Sequence, residues 1–219
     1  MKNHWRLIVF IQIFILVGAF SNAAALRNDR RQFKESTGRS EQQMQRLQAI
    51  MFPLLRVTDH PMAREKIQVS IVDDKELNAA SAGNGQFYVT NALMNQATDE
   101  QLRGVLAHEI AHEDLGHPMK AQVLGVGLGL GAALLEKIFP GSSAVAPIAG
   151  TIIAGQYTRP MELAADRHAV ILLRRAGYPK ETMIDTLTWL MRRNGNSGGG
   201  ILASHPATSE RIQALRAVR

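Results

Sequence analysis

Thr98-Asp99-Glu100-Gln101-Leu102-Arg103-Gly104-Val105-Leu106-Ala107-His108-Glu109-Ile110-Ala111-His112 is the stretch on which the reading of this chain turns. It reads as a helix. Thr98 to Gln101 form a capping box with acids in the first turn. Leu102, Val105, Leu106 and Ile110 recur at about helical period, and Gly116 and Pro118 mark the end. His108 to His112 spells HExxH. Residues four apart lie just over one turn apart, so both imidazoles leave the same face, at the spacing that lets two histidines bind one zinc ion. Glu109 then sits beside the metal, able to take a proton from a water that the ion activates. The pattern implies a zinc hydrolase, with a peptidase the leading expectation.

A catalytic zinc usually has three protein ligands and one open position. Arg159-Pro160-Met161-Glu162-Leu163-Ala164-Ala165-Asp166 offers the third. Pro160 suits a first helical turn, and Glu162 and Asp166 again share a face. Glu162 is expected to ligate the metal. Asp166 is expected to accept a hydrogen bond from the far nitrogen of a ligating histidine, His108, fixing its tautomer. His117 is the alternative third ligand. In the extended pattern HExxHxxGxxH, however, Gly116 and His117 each fall one residue out of register, so His117 is read as a supporting or rim residue.

Four blocks in order carry a family resemblance. They are Leu77-Asn78-Ala79-Ala80 followed by Gly85-Gln86-Phe87-Tyr88-Val89-Thr90, the HExxH helix, the Arg159 to Asp166 segment, and Ser204-His205-Pro206-Ala207-Thr208-Ser209-Glu210-Arg211. Together they resemble the zinc metallopeptidase family of the heat-shock protease HtpX and the CAAX prenyl endopeptidase, including its small soluble periplasmic members. The resemblance covers roughly residues 40 to 219. It implies a gluzincin-like endopeptidase with His108, His112 and Glu162 as ligands of one Zn²⁺ and Glu109 as catalytic base. It also implies polypeptide substrates, among them misfolded or unassembled outer-membrane or envelope proteins. No tetratricopeptide array follows the last block in this sequence, so a repeat-based partner platform is not expected.

The N-terminus bears on the compartment. Lys2 and Arg6 precede an apolar run from Leu7 to Phe20, and Ser21-Asn22-Ala23-Ala24-Ala25 offers a small-residue cleavage site. Residues 1–25 are therefore read as a secretory signal peptide, residues 26–39 as a polar leader and 40–219 as the peptidase domain. The apolar run is shorter than the roughly 20 residues a spanning helix needs. An uncleaved inner-membrane anchor is the alternative. With no cysteine, a lipoprotein anchor is excluded and an oxidising compartment is tolerated. A periplasm is the expected destination. The formal charge of +6 is dispersed, and Lys2 and Arg6 lie in the segment expected to be removed. No basic patch with aromatics, zinc knuckle or phosphate loop is present, so nucleic acid is not an expected partner.

Elsewhere, residues 40 to 56 read as an amphipathic helix through Met44, Leu47, Ile50, Met51 and Leu54. Ile67 to Val72 alternates as a strand, and Asn78 to Ala82 and Gln86 to Thr90 form a hairpin across Gly83-Asn84-Gly85. Beyond Asn91 the chain is helix or loop. The fold class is α+β: a mainly helical, zincin-like domain with a small β-sheet beside the HExxH helix. An edge strand in this setting can hold a substrate backbone extended, and Asn78, Ala79 and Ala80 are the candidates. Val123 to Leu135 and Ala144 to Ala154 are apolar but interrupted by Glu136-Lys137 and Pro140-Gly141-Ser142-Ser143. They read as a buried helical hairpin, with peripheral membrane contact as the alternative. Asn194 to Gly200 reads as a flexible loop able to act as a lid. His205 is expected to stabilise the oxyanion or orient a ligand, and Arg159 to form a salt bridge or face the oxyanion. The rival function is a zinc-stabilised, non-catalytic periplasmic chaperone or assembly factor.

Overall fold

The computed structural model describes residues 38, 40–123, 157–194, 200–206 and 208–218. The expected signal peptide, most of the polar leader, most of the apolar 121–155 stretch and the centre of the 194–200 loop lie outside them. Two compact units divide the chain, Met1–Arg46 and Leu47–Arg219. In the first, residues 38 and 40–46 are described and helical.

The second unit opens with helical residues 47–55 (α1), where Leu47, Met51 and Leu54 are fully buried at the expected 3–4 spacing. After a 3-10 turn at Arg64–Lys66 come β1 (Gln68–Val72), β2 (Ala79–Gly83) and β3 (Gln86–Thr90). Their order in the sheet is β1-β3-β2. The hairpin expected from the sequence forms, with β2 antiparallel to β3. Gly83, Asn84 and Gly85 all take positive φ in its turn. β1 adds to the far side of β3 in parallel. A Cβ at Gly85 would sit 2.6 Å from the Lys66 carbonyl oxygen, so only glycine fits where the turn passes the entry to β1. Every residue of β2 is buried.

The helices follow: α2 (Asn91–Gln96), α3 (Asp99–Asp114), α4 (His117–Val123), α5 (Arg159–Arg175), α6 (Glu181–Asn194), α7 (Ile201–Ser204) and α8 (Ser209–Ala217). The Thr98 hydroxyl and the Gln101 side chain close a full capping box on α3. Gly116, at positive φ, ends it. Pro118 instead opens α4, where a residue lacking an N–H costs nothing in the first turn. α3 runs through the centre, against α5, α6 and β2, with eleven buried residues from Leu102 to Asp114. Its C-terminus is clasped by Asp114. That carboxylate accepts the backbone N–H groups of Asp59 and His60 at 2.8 Å each and His168 Nε2 at 2.6 Å. Burial works to raise its pKa, but the bonds from His168, Asp59 and His60 outweigh it and hold the carboxyl at about 2.

The crossing of α3 and α6 depends on Gly104. A Cβ there would lie 2.1 Å from Thr186 Oγ1 and 3.1 Å from the Thr182 carbonyl oxygen. Gly104→Ala gains about 1 kcal/mol of helix propensity but forces the helices apart, at a typical cost of about 1–3 kcal/mol. The contact is closer than side-chain adjustment alone relieves, so the upper end applies. Thermal unfolding of Gly104→Ala should show a Tm several degrees lower, partly restored by adding Thr186→Ala. An unchanged Tm would contradict this packing.

Candidate metal centre

α3 delivers His108 and His112 one turn apart, with their Nε2 atoms 3.1 Å from each other. α5 brings Glu162 in its first turn, where a carboxylate also meets the positive end of the helix dipole. Glu162 Oε1 lies 3.2 Å from His112 Nε2, and Oε2 lies 3.4 Å from His108 Nε2. His205, just after α7, places Nδ1 3.3 Å from His108 Nε2 and 2.9 Å from Glu162 Oε1. All four side chains are buried, and one ligand atom from each falls within 4.8 Å of the others.

Four donors at about 2.0–2.1 Å from a tetrahedral ion stand about 3.3 Å apart. The separations given above, from 2.9 to 3.4 Å with the nearer carboxylate oxygen taken for each histidine, are close to that figure. Glu162 Oε2 is ion-paired with Arg211 at 2.6 Å, which leaves Oε1, 3.2 Å from His112 Nε2 and 2.9 Å from His205 Nδ1, as the oxygen turned to the shared point. The residues therefore fit a divalent metal. The electrostatics agree: the Glu162 carboxyl is buried, yet His205 and His108 hold it far below the usual carboxylate range. Burial opposes charge on His108, but Glu162 and Asp166 raise its pKa to about 9. Burial lowers that of His112, and the neighbouring His108 and His205 add to the shift. The group thus draws positive charge to one spot.

Around the four donors lies a supporting layer. Asp166 Oδ1 stands 3.0 Å from His108 Nδ1, the partnership expected from sequence. His117 Nδ1 is 3.0 Å from His112 Nδ1. Burial, aided by Lys120, lowers the His117 pKa to about 4, so its ring is neutral beside His112. Arg211, which closes the last of the four sequence blocks, has a role that the sequence alone does not indicate. It donates to both oxygens of Asp166 at 2.7 Å, reaches Glu162 Oε2 at 2.6 Å and donates to the Pro206 carbonyl at 3.0 Å. Tyr157 was missed too. Its ring lies 4.0 Å from that of His112, and its buried hydroxyl has no hydrogen-bond partner among the described residues.

Glu109 points from α3 towards β2. Oε2 accepts the Ser81 N–H at 3.0 Å, while Oε1 has no hydrogen bond among the described residues and lies 3.5 Å from His205 Nε2. Asn78 bonds Thr90 through its N–H and carbonyl. Ala79 and Ala80 pair with Val89 and Tyr88 of β3. Backbone groups alternate along a strand, so Ala79, like Ser81, turns its N–H and carbonyl away from β3. Arg159 is not brought into the site. It is mostly exposed and ion-pairs with Glu210 at the start of α8, which leaves the salt-bridge half of its expectation. A second group, Asp59, Asp114 and His168, also comes within 4.8 Å. There the Asp114 oxygens are already occupied, and Asp59 pairs with Arg175 at 2.6 Å.

A family model described as Peptidase family M48 matches residues 41–219. The chain is similar to metalloprotease LoiP of Escherichia coli, 27% identical over 149 residues that cover 65% of this chain and 58% of the relative. It is similar to metalloprotease YcaL of the same organism, 29% identical over 146 residues covering 64% and 58%. The beta-barrel assembly-enhancing protease of Escherichia coli is 28% identical over 162 residues, covering 67% of this chain and 33% of that protein. The matches thus span less than two thirds of each relative.

Proposed function

From the premise that this chain belongs to peptidase family M48, a family of metal-dependent proteases, we propose that it is a zinc endopeptidase acting on polypeptides in a bacterial envelope. One observation carries the reading: a buried group of three imidazoles and a carboxylate with ligand atoms within 4.8 Å of one another, flanked by Glu109, one oxygen of which is unengaged among the described residues. His108, His112 and Glu162 would hold Zn²⁺. When bound, it supplies Lewis acidity and an activated water of pKa about 7. Glu109 Oε1 takes the proton of the attacking water and passes it to the departing amine, while Oε2 stays on the Ser81 N–H. Asp166 and His117 stand 3.0 Å from the two ring Nδ1 atoms, so each Nε2 faces inward. The outward N–H and carbonyl of Ala79 are suited to pairing an extended substrate, with little regard to its side chains.

The compartment rests on Lys2, Arg6, the Leu7–Phe20 run and Ala23-Ala24-Ala25. Among the described residues no helix is long and apolar enough to cross a membrane. Misfolded or unassembled envelope proteins are the proposed substrates, in keeping with the relative named for β-barrel assembly.

His205 favours a second reading. A fourth protein donor is the mark of a closed, structural zinc site, as a non-catalytic chaperone would use. We read it instead as a ligand that withdraws when substrate enters. The test is metal analysis with casein hydrolysis, before and after chelation and zinc return. One zinc per chain and chelator-sensitive, restorable cleavage are expected. His205→Ala should keep the zinc and cleave at least as fast as the unaltered chain. Loss of the zinc together with an inert parent protein would favour the structural reading.

A further inference from the structure

Two carboxylates of α3, one turn apart, hold the same strand residue. Glu109 Oε2 accepts the Ser81 backbone N–H at 3.0 Å. Glu113 Oε2 accepts the Ser81 hydroxyl, and its Oε1 accepts the Gly85 N–H at 2.8 Å. Ser81 is fully buried. Gly85 is confined in turn by its φ of +79° and by the Lys66 carbonyl, and its own carbonyl accepts the Gln68 N–H at 2.9 Å. The β2–β3 turn is thus fastened to the helix beneath it at two points, both through Glu113.

We propose that Glu113 is a positioning residue for the general base: by fixing Ser81 through its hydroxyl, it sets the Ser81 N–H that fixes Glu109. The consequence is atomic. With Oε2 committed to the strand, Oε1 alone of the Glu109 oxygens is left to accept a proton. A carboxylate free to rotate would offer either oxygen at shifting distances, and misplacement of about 1 Å lowers rates by about 10²-fold. Glu113 touches neither the metal donors nor Glu109 in any hydrogen bond of the structure, so its effect passes through Ser81.

This inference rests on the peptidase reading, and its test separates the two. Steady-state peptide hydrolysis is measured on the zinc-loaded chain for Glu113→Ala, Ser81→Ala, the double variant and Glu113→Gln. Glu113→Ala is expected to lower kcat at least tenfold with KM changed less than threefold and one zinc retained. Ser81→Ala should show a similar loss, and the double variant should be no slower than Glu113→Ala, since both remove one link. Glu113→Gln keeps an acceptor for Gly85 and a polar group for the rotatable Ser81 hydroxyl, and should stay within threefold of the parent. Amide hydrogen exchange at Ser81, read by NMR, should quicken at least tenfold in Glu113→Ala while Ala80 holds its protection. An inert parent protein overturns the peptidase reading and leaves the exchange experiment to decide the positioning role. Unchanged kcat, losses that multiply in the double variant, or unchanged Ser81 exchange would each overturn the inference.

Discussion

Replacing Glu109 with Gln is expected to leave one zinc per chain and an essentially unchanged Tm, and to slow casein hydrolysis by about 10³-fold, within the range that general acid–base catalysis contributes. The substitution is nearly isosteric. The amide oxygen can keep the Ser81 N–H that Oε2 accepts now. The amide nitrogen then takes the place of Oε1, which accepts no hydrogen bond among the described residues, so none of the hydrogen bonds described is lost. Only the ability to receive a proton disappears. Metal content by atomic emission and cleavage of labelled casein measure the two halves separately. A variant retaining more than a tenth of the parent rate would remove Glu109 from the role of base.

Arg211→Met should act on stability and metal together. The guanidinium is buried between Asp166 and Glu162, bidentate on the first and single on the second. Burial disfavours its charge, but Asp166 and Glu162 more than compensate and raise its pKa. Removing one partner of such a buried group typically costs about 3–5 kcal/mol, or about 6–20 °C in Tm for a chain of this size. Metal affinity should fall about 10–100-fold, because Asp166 orients His108 and Arg211 orients Asp166. The pH dependence follows from Asp166. Burial raises its pKa, but Arg211 and His108 outweigh that and depress it in the folded state. A carboxylate with a depressed folded pKa contributes stability above its unfolded pKa of about 3.9 and loses it as pH falls. The gap between the parent protein and Arg211→Met should therefore be widest near neutrality and narrow below about pH 4. Thermal melts across that range decide it; a gap independent of pH would place the energetic role of Arg211 elsewhere.

The residues that were legible in the sequence announce themselves locally. Thr98 and Gln101 cap α3, the HExxH spacing puts two imidazoles on one face, and Glu162 and Asp166 repeat that spacing on α5. The Gly83-Asn84-Gly85 turn marks the hairpin, because positive φ at successive positions demands such residues. What stayed hidden depends on contacts between distant segments. Nothing in the alternation of β1 says that it pairs in parallel with β3 across an intervening strand. Arg211 stands beside Glu210, and arginine is a residue expected outside. Neighbours on a helix point about 100° apart, so one turns outward to Arg159 and the other inward to Asp166. The same geometry explains Arg159, which is close to Glu162 in sequence yet engaged on the surface. Glu113 and Tyr157 fit no motif and are defined by what surrounds them.

The span of chain that the four donors bridge bears on when the site is assembled. His108 meets His205 across 97 positions, and Arg211 meets Asp166 across 45. Closing such loops carries an entropic cost that local helix formation cannot repay until the ends arrive. Until α5 packs on α3, the two histidines have no carboxylate opposite them. On the proposed reading, the ligand set is therefore complete only once distant segments of the chain have met.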